Sequence, residues 1–207
     1  MARPITVAVP KGRILGPLCA LLERAGWGGD ALRADDRRLV RDDARSGLRY
    51  LLLKPDDVPT YVDYGAADLG VVGRDVLLER DYDLYAPLDL GIGRCRMVVA
   101  GVPGAPVSGR VLRVATKFPN IASAHFGRTG RPVEIIRVSG SVELAPLAGL
   151  ADRIVDLVES GETLRQNGLV ELEQVCDVSA VLVANRAGLK LERERIRPLL
   201  DALRRAL

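Results

Sequence analysis

Short β-branched apolar runs alternate along this chain with stretches of helical period, and the alternation predicts an α/β fold with largely parallel strands. Strands are expected at residues 5–9, 49–53, 69–72, 97–100, 112–115, 133–138, 153–158 and 180–184. The helix after the first strand has the clearest pattern. Ile14, Leu15, Leu18, Leu21, Leu22 and Ala25 form one apolar stripe, and Gly26 stands where a left-handed cap would end it. Further helices are expected over residues 57–65, after Gly73, and near residues 192–207, where Ile196, Leu199, Leu200 and Leu203 share a face.

The turn-rich stretch Gly-Val-Pro-Gly-Ala-Pro-Val-Ser-Gly at residues 101–109 reads as a connector between lobes. A second crossing is expected near Cys176. These boundaries define lobe I as residues 1–100 plus 177–207 and lobe II as 101–176, each built on a mixed, mostly parallel sheet, with a cleft between the lobes. No internal repeat or heptad run is evident.

Composition narrows the class. A chain of 207 residues that is 48% hydrophobic and 28% charged is a globular protein with ample core, which excludes a disordered tail. Thirty basic residues against 27 acidic ones leave a net charge of +3, which argues against a broad nucleic-acid-binding face. Lys11, Lys54, Lys117 and Lys190 are the only lysines, so the other cations are arginines, whose forked donors suit phosphate. Three scattered cysteines and a single histidine disfavour a zinc site and fit a reducing cytoplasm. The N-terminal apolar run is too short for a signal peptide, and no run approaches the ~20 apolar residues of a membrane helix. The expectation is therefore a cytoplasmic protein that engages neither membrane nor nucleic acid. His125 lacks a nucleophile-elbow motif and reads as a helix-face or helix-end residue.

Three places pair a strand end with glycine and polar groups, an arrangement suited to anions. The first is Lys11-Gly12-Arg13, just before the amphipathic helix. The second runs from Asp156 through Glu159, Ser160, Gly161, Glu162 and Thr163 to Leu164, where a buried-type strand enters a Ser-Gly-x-Thr turn and then a helix. Such a turn presents N–H groups and hydroxyls to a phosphate, and Asp156 suits sugar hydroxyls or a water-bridged Mg²⁺. An ordinary strand-turn-helix with an N-cap hydroxyl explains the same spacing. The third, Asp89-Leu90-Gly91-Ile-Gly93-Arg94-Cys95-Arg96, is a bare Gly-x-Gly in which Asp89 and Cys95 are as readily structural. Arg37, Arg38 and Arg41 lie in a mixed-charge segment that is either solvated surface or a loop gripping polyphosphate.

Together these pieces resemble the short form of the ATP phosphoribosyltransferase family. The resemblance is carried by Pro-Lys-Gly-Arg-Ile at 10–14, Asp-Val-Pro-Thr-Tyr-Val at 57–62, and Gly-Ala-Ala-Asp-Leu-Gly-Val-Val-Gly-Arg-Asp-Val-Leu at 65–77. Gly-Ile-Gly-Arg-Cys at 91–95, Ala-Thr-Lys-Phe-Pro-Asn at 115–120, Gly-Ser-Val-Glu-Leu-Ala-Pro at 140–146 and the segment 151–164 continue it in order. Two positions depart from the usual pattern: Lys54, where an arginine is commoner, and Phe118, where a tyrosine is.

The resemblance implies a two-lobed fold like type II periplasmic binding proteins and a pentosyltransferase that opens histidine biosynthesis. N1 of ATP attacks the anomeric carbon of phosphoribosyl pyrophosphate, and pyrophosphate leaves with Mg²⁺, which is held mainly by substrate. It places phosphoribosyl pyrophosphate on Lys11, Glu143, Asp156, Glu159, Ser160, Gly161, Glu162, Thr163 and Leu164. ATP falls to Arg13, Arg38, Gly73, Leu90, Gly91 and Cys95, with Arg13, Arg37 and Asp156 catalytic. It also implies a homodimer of catalytic chains within a hetero-octamer, completed by a regulatory subunit similar to histidyl-tRNA synthetase. A length of 207 residues leaves no room for the C-terminal regulatory domain of the long form. The alternative is a cytoplasmic two-lobed domain that binds or senses a phosphorylated small molecule.

Overall fold

Ile5–Pro10 (β1) is buried along its whole length, so its alternating side chains feed two separate cores. Ile5, Val7 and Val9 join a cluster with the amphipathic helix Leu15–Arg24 (α1), while Ala8 joins Val58 and Val62 on the opposite face. The computed structural model describes residues 3–34, 36–80, 82–107, 109–185, 189–190 and 193–207. Its contacts divide the chain into two units. The first is Met1–Leu77, Asp81–Gly93 and Ser179–Leu207, and the second is Leu78–Arg80 and Arg94–Val178.

The first unit holds a six-stranded sheet. Beside β1 run Val40–Asp43 (β2), Leu48–Leu53 (β3), Leu69–Gly73 (β4), Leu84–Asp89 (β5) and Ala180–Asn185 (β11), in the order β2-β3-β1-β4-β11-β5. The short helix Asp30–Arg33 (α2) follows α1, and Val58–Asp63 (α3) covers the second face. Arg74–Glu79 (α4) starts where β4 ends, and Arg193–Ala206 (α8) returns to the first core through Ile196, Leu199, Leu200 and Leu203. The expected left-handed cap on α1 is present. Gly26 has φ +75°, its N–H donates to Glu23 at 2.9 Å, and that of Trp27 donates to Leu22 at 2.9 Å.

The second unit holds Cys95–Gly101 (β6), Leu112–Thr116 (β7), Val133–Arg137 (β8), Arg153–Val158 (β9) and Val170–Val178 (β10), in the order β10-β6-β9-β7-β8. Its helices are Pro119–Arg128 (α5), Leu144–Leu147 (α6) and Glu162–Gln166 (α7). Met97, Val99 and Val155 pack with α5, whereas Val98, Ala100, Ile154 and Val158 pack on the other face with Ala145 and Leu164. His125 is buried in the last turn of α5, 3.2 Å from Glu173 and edge-on to Phe126.

Every expected strand forms, within two residues at either end. Three more were not expected: β2, β5 and β10 lie at sheet edges, where half or more of their residues are exposed, and each mixes charged, aromatic or proline positions with its apolar ones. Both sheets are mixed, as expected, but they are not mostly parallel, because strands that return to a sheet from elsewhere in the chain enter it in the opposite direction. β1 is parallel to β3 and β4, and β7 to β8 and β9, while the other five pairings are antiparallel. The chain also crosses earlier than the turn-rich stretch implies. Strand β6, expected within lobe I, pairs with β9 and β10, so the crossings fall after Gly93 and Val178. Residues 101–109 join two strands of one sheet instead. Of the expected terminal helix, Glu192 lies outside the described residues. Among the described residues, no helix is long and apolar enough to cross a membrane.

Gly70 marks where α3 presses on β4. A Cβ there would lie 2.7 Å from Val62 Cγ2 and 2.9 Å from Val58 Cγ1. Gly70→Ala is expected to destabilise the chain by about 1–3 kcal/mol through overpacking, read as a lowered urea midpoint. An unchanged midpoint would contradict that contact.

Candidate active site

Asp156 is the most unusual of the candidate residues. By strand alternation it shares the face of β9 that carries Ile154 and Val158 into the core, so a carboxyl sits at an apolar position. Burial pushes its pKa up to about 6, helped by the negative charge of Glu143; the Leu157 N–H and Lys117 pull the other way. Glu143 precedes α6 without a capping hydrogen bond from its side chain, in a segment where Ser141 has φ +47°, a left-handed backbone that a serine rarely adopts. Val142 and Ala145 on either side of Glu143 pack into the same core, which brings this segment over the face of Asp156.

Beyond β9 the chain makes the expected turn. Glu159, Ser160, Glu162 and Thr163 are exposed, and Gly161 takes φ +77° as the residue before α7. Ser160 Oγ accepts the Glu162 N–H at 3.3 Å. The Glu162 carboxylate is engaged by Arg165 at 2.5 Å and Gln166 at 3.0 Å. Leu164 is buried in the core, so within this segment only its backbone is left to meet a ligand.

In the first unit, the turn of Lys11, Gly12 and Arg13 is exposed, and Lys11 N–H ties it to Leu53 at 2.9 Å. Arg13 Nη1 donates to the Gly93 carbonyl at 3.3 Å, and a Cβ on Gly93 would lie 3.1 Å from Ile14 Cγ1. The first and third candidate places are therefore neighbours. Gly91, at φ +61°, donates its N–H to Asp89 at 2.9 Å, and the same carboxylate accepts from Ser179 Oγ at 2.8 Å. Leu90 is a core residue, so it too offers backbone only. Gly73 ends β4 with Asp75 tucked so close that any Cβ would meet Oδ1 at 2.1 Å.

Lys11, Arg37 and Arg38 line one hollow of about 800 Å³ beside α1, with the buried Cys19 also in its wall. Arg38 is paired with Asp36 at 2.6 Å and largely exposed. Arg41 has turned inward and donates to the carbonyls of Ala31 at 3.1 Å and Leu32 at 2.9 Å, which makes it structural. Cys95 opens β6 and belongs to the second unit, whereas the other residues of the expected ATP set belong to the first.

Two groups play parts other than any expected of them. Lys117 follows β7 and acts electrostatically on Asp156, while Thr116 shapes its turn by donating to Val155 at 2.6 Å and accepting the Phe118 N–H at 2.8 Å. Arg96 reaches the carbonyl of Glu159. A lysine directly after a β-strand was the available signal for Lys117; Arg96 stood in the third candidate place, but its partner at Glu159 lies 63 positions away and leaves no local sign. Among the described residues, no three His, Cys, Asp or Glu side chains gather as a metal site.

Comparison with known proteins adds an independent line. Residues 54–205 match the family model described as ATP phosphoribosyltransferase. The chain is 60% identical over 211 residues to an ATP phosphoribosyltransferase of Sorangium cellulosum, covering 100% of this chain and 97% of that one. It is 51% identical over 199 residues to one of Geobacillus kaustophilus, covering 96% of each. Among solved structures it resembles the ATP phosphoribosyl transferase (HisG:HisZ) complex from Thermotoga maritima, with TM-score 0.83, 34% identity and 98% of both chains covered. It also resembles the periplasmic aliphatic sulphonate binding protein SsuA of Escherichia coli, with TM-score 0.63, 14% identity, and 100% of this chain and 73% of that one covered. The last likeness is one of fold alone and agrees with the expected two-lobed, type II periplasmic-binding-protein-like class. These relatives do not favour the ligand-sensing alternative.

The raised pKa of Asp156 has a stability consequence. The folded chain holds that proton more tightly than the unfolded chain, so stability falls as pH rises from the ordinary 3.8 to about 6 and stays lower above it. Asp156→Asn is expected to raise stability at pH 7.5 by about 1–2 kcal/mol, with little gain below pH 4. Urea denaturation at both pH values checks this, and equal gains at the two would mean the carboxyl is not desolvated.

Proposed function

The chain belongs to the ATP phosphoribosyltransferase family, and we propose that Asp156 and the turn through Thr163 form its phosphoribosyl pyrophosphate site. Enzymes of this family transfer the 5-phosphoribosyl group of phosphoribosyl pyrophosphate to N1 of ATP, giving phosphoribosyl-ATP and pyrophosphate in the first step of histidine biosynthesis. The observation that carries the placement is a desolvated carboxyl on a core strand face, followed directly by an exposed Ser-Gly-Glu-Thr turn.

The chemistry suits these residues. As pyrophosphate departs, the ribose gains oxocarbenium character, so catalysis rests on positioning and electrostatics. Adenine N1 is itself the nucleophile, and no side-chain base is required. Asp156, ionised above about pH 6, accepts hydrogen bonds from ribose hydroxyls and sets negative charge near the developing cation. Ser160, Gly161 and Thr163 hold the 5-phosphate, with the backbone of Glu159, Glu162 and Leu164 completing the cradle. Lys11, Arg13, Arg37 and Arg38 neutralise polyphosphate, and Lys117 joins Glu143 beside Asp156. Arg13 stands next to the Gly91–Gly93 turn, which with Gly73, Leu90 and Cys95 is assigned to ATP.

Mg²⁺ fits this donor set as a companion of the pyrophosphate. Asp156 and Glu143 are hard oxygen ligands too few to cage an ion, which suits one held mainly by substrate and water. The ion would supply charge neutralisation for the leaving group. The proposal extends to a regulatory partner subunit, which the Thermotoga complex supports; the further reading, carried by the family resemblance, is a partner similar to histidyl-tRNA synthetase in a cytoplasmic hetero-octamer with paired catalytic chains.

Purified protein mixed with ATP, Mg²⁺ and phosphoribosyl pyrophosphate, with and without such a partner, is expected to yield phosphoribosyl-ATP. No product in either mixture, with a verified partner, would overturn the reading. Thr163→Ala is expected to weaken phosphoribosyl pyrophosphate binding about tenfold, and Arg13→Ala to lower turnover by about 10- to 100-fold. Calorimetry and steady-state rates read the two effects.

A further inference from the structure

Two arginines from outside the turn reach its carbonyl oxygens. Arg96, on β6, donates through Nη1 to the Glu159 carbonyl at 3.2 Å, and Arg165 donates to the Ser160 carbonyl at 3.3 Å. Arg96 is held in turn by Glu171 of β10, through Nε at 2.8 Å and through Nη2, a two-pronged ion pair. The pair is two-thirds buried and holds the Glu171 carboxyl below its usual range. Glu171 also packs against the turn: a Cβ on Gly161 would lie 3.2 Å from its Oε1.

The consequence lies in peptide geometry. Every described peptide bond is trans, so the N–H of each residue points opposite to the carbonyl before it. Drawing the Glu159 and Ser160 carbonyls toward the guanidinium groups turns the Ser160 and Gly161 N–H groups the other way. Two successive donors then face a common direction, as an oxyanion requires.

We propose that Arg96, clamped by Glu171, is a positioning residue that presets the N–H groups of Ser160 and Gly161 for the 5-phosphate of phosphoribosyl pyrophosphate. It touches no substrate and acts through the backbone of the turn. The proposal rests on the assignment of this turn to phosphoribosyl pyrophosphate. Its chemical content is specific: the ligand group is a phosphate met by main-chain donors, so the arginine charge serves orientation and not direct contact.

The test is the steady-state kinetics of Arg96→Ala, Arg96→Lys, Glu171→Gln and Thr163→Ala, each assayed as the active assembly. Arg96→Ala is expected to raise KM for phosphoribosyl pyrophosphate about tenfold while KM for ATP stays within about twofold. Arg96→Lys keeps one charged donor for the Glu159 carbonyl and should recover part of the loss. Glu171→Gln should show the same selectivity more weakly, and these two variants carry the test if Arg96→Ala fails to fold. Equal rises in both KM values, or no rise in any variant of the pair, would overturn the positioning role. Thr163→Ala separates the two claims. Impairment there with normal Arg96 variants removes only the positioning role, whereas no impairment in any of the four removes the phosphoribosyl pyrophosphate assignment itself.

Discussion

Strands buried on both faces leave the chain little freedom except where they end, and that constraint places most of the candidate functional residues. Lys11 follows β1, Gly73 closes β4, Lys117 follows β7, Ser141 and Glu143 come after β8, and the turn of Ser160 and Gly161 follows β9. Within each unit these strands run parallel, so their carboxyl ends gather on one edge of the sheet. The alternation that splits Ile5, Val7 and Val9 from Ala8 thus does more than fill two cores. It fixes the direction in which each following turn emerges.

Asp156 shows what this arrangement exacts from stability. A leucine or valine would satisfy the core face of β9 between Ile154 and Val158. A carboxyl there is desolvated, and its charged form is disfavoured up to about pH 6. A group held under such strain fits a site where a cation develops transiently, since the same poor solvation strengthens its interaction with nearby charge. Lys117 opposes that strain and Glu143 adds to it, so the protonation of Asp156 is set by several elements at once.

The arginine richness of the chain resolves into distinct uses. Arg41 is structural, holding carbonyls of the α2 segment, and Arg96 and Arg165 hold carbonyls of the turn after β9. Arg13 lies against the Gly91–Gly93 turn, and Arg37 and Arg38 line the hollow shared with Lys11. A planar fork that binds two acceptors at once is well suited to fixing backbone, and a single ammonium is less so. A net charge of +3 therefore conceals cations divided between holding carbonyls, pairing with carboxylates and lining the hollow beside α1.

The order of the strands' apolar runs, the α1 stripe with its Gly26 cap, the terminal helix face and the family motifs were legible in the sequence, because each depends on local periodicity or contiguous residues. So were Lys11, Arg13 and the 156–164 segment as candidates. Edge strands β2, β5 and β10 were not, since a strand paired on one side only need not keep a sustained buried-type run, and these interrupt theirs with charges or proline. The true crossing after Gly93 was hidden as well, because the pairing of β6 with β9 and β10 joins residues more than 50 positions apart. Burial of Leu90 and Leu164, the inward turn of Arg41, and the reach of Arg96 to Glu159 depend on which distant segments pack side by side. That packing is decided by pairing between segments far apart in the chain, which local pattern does not encode.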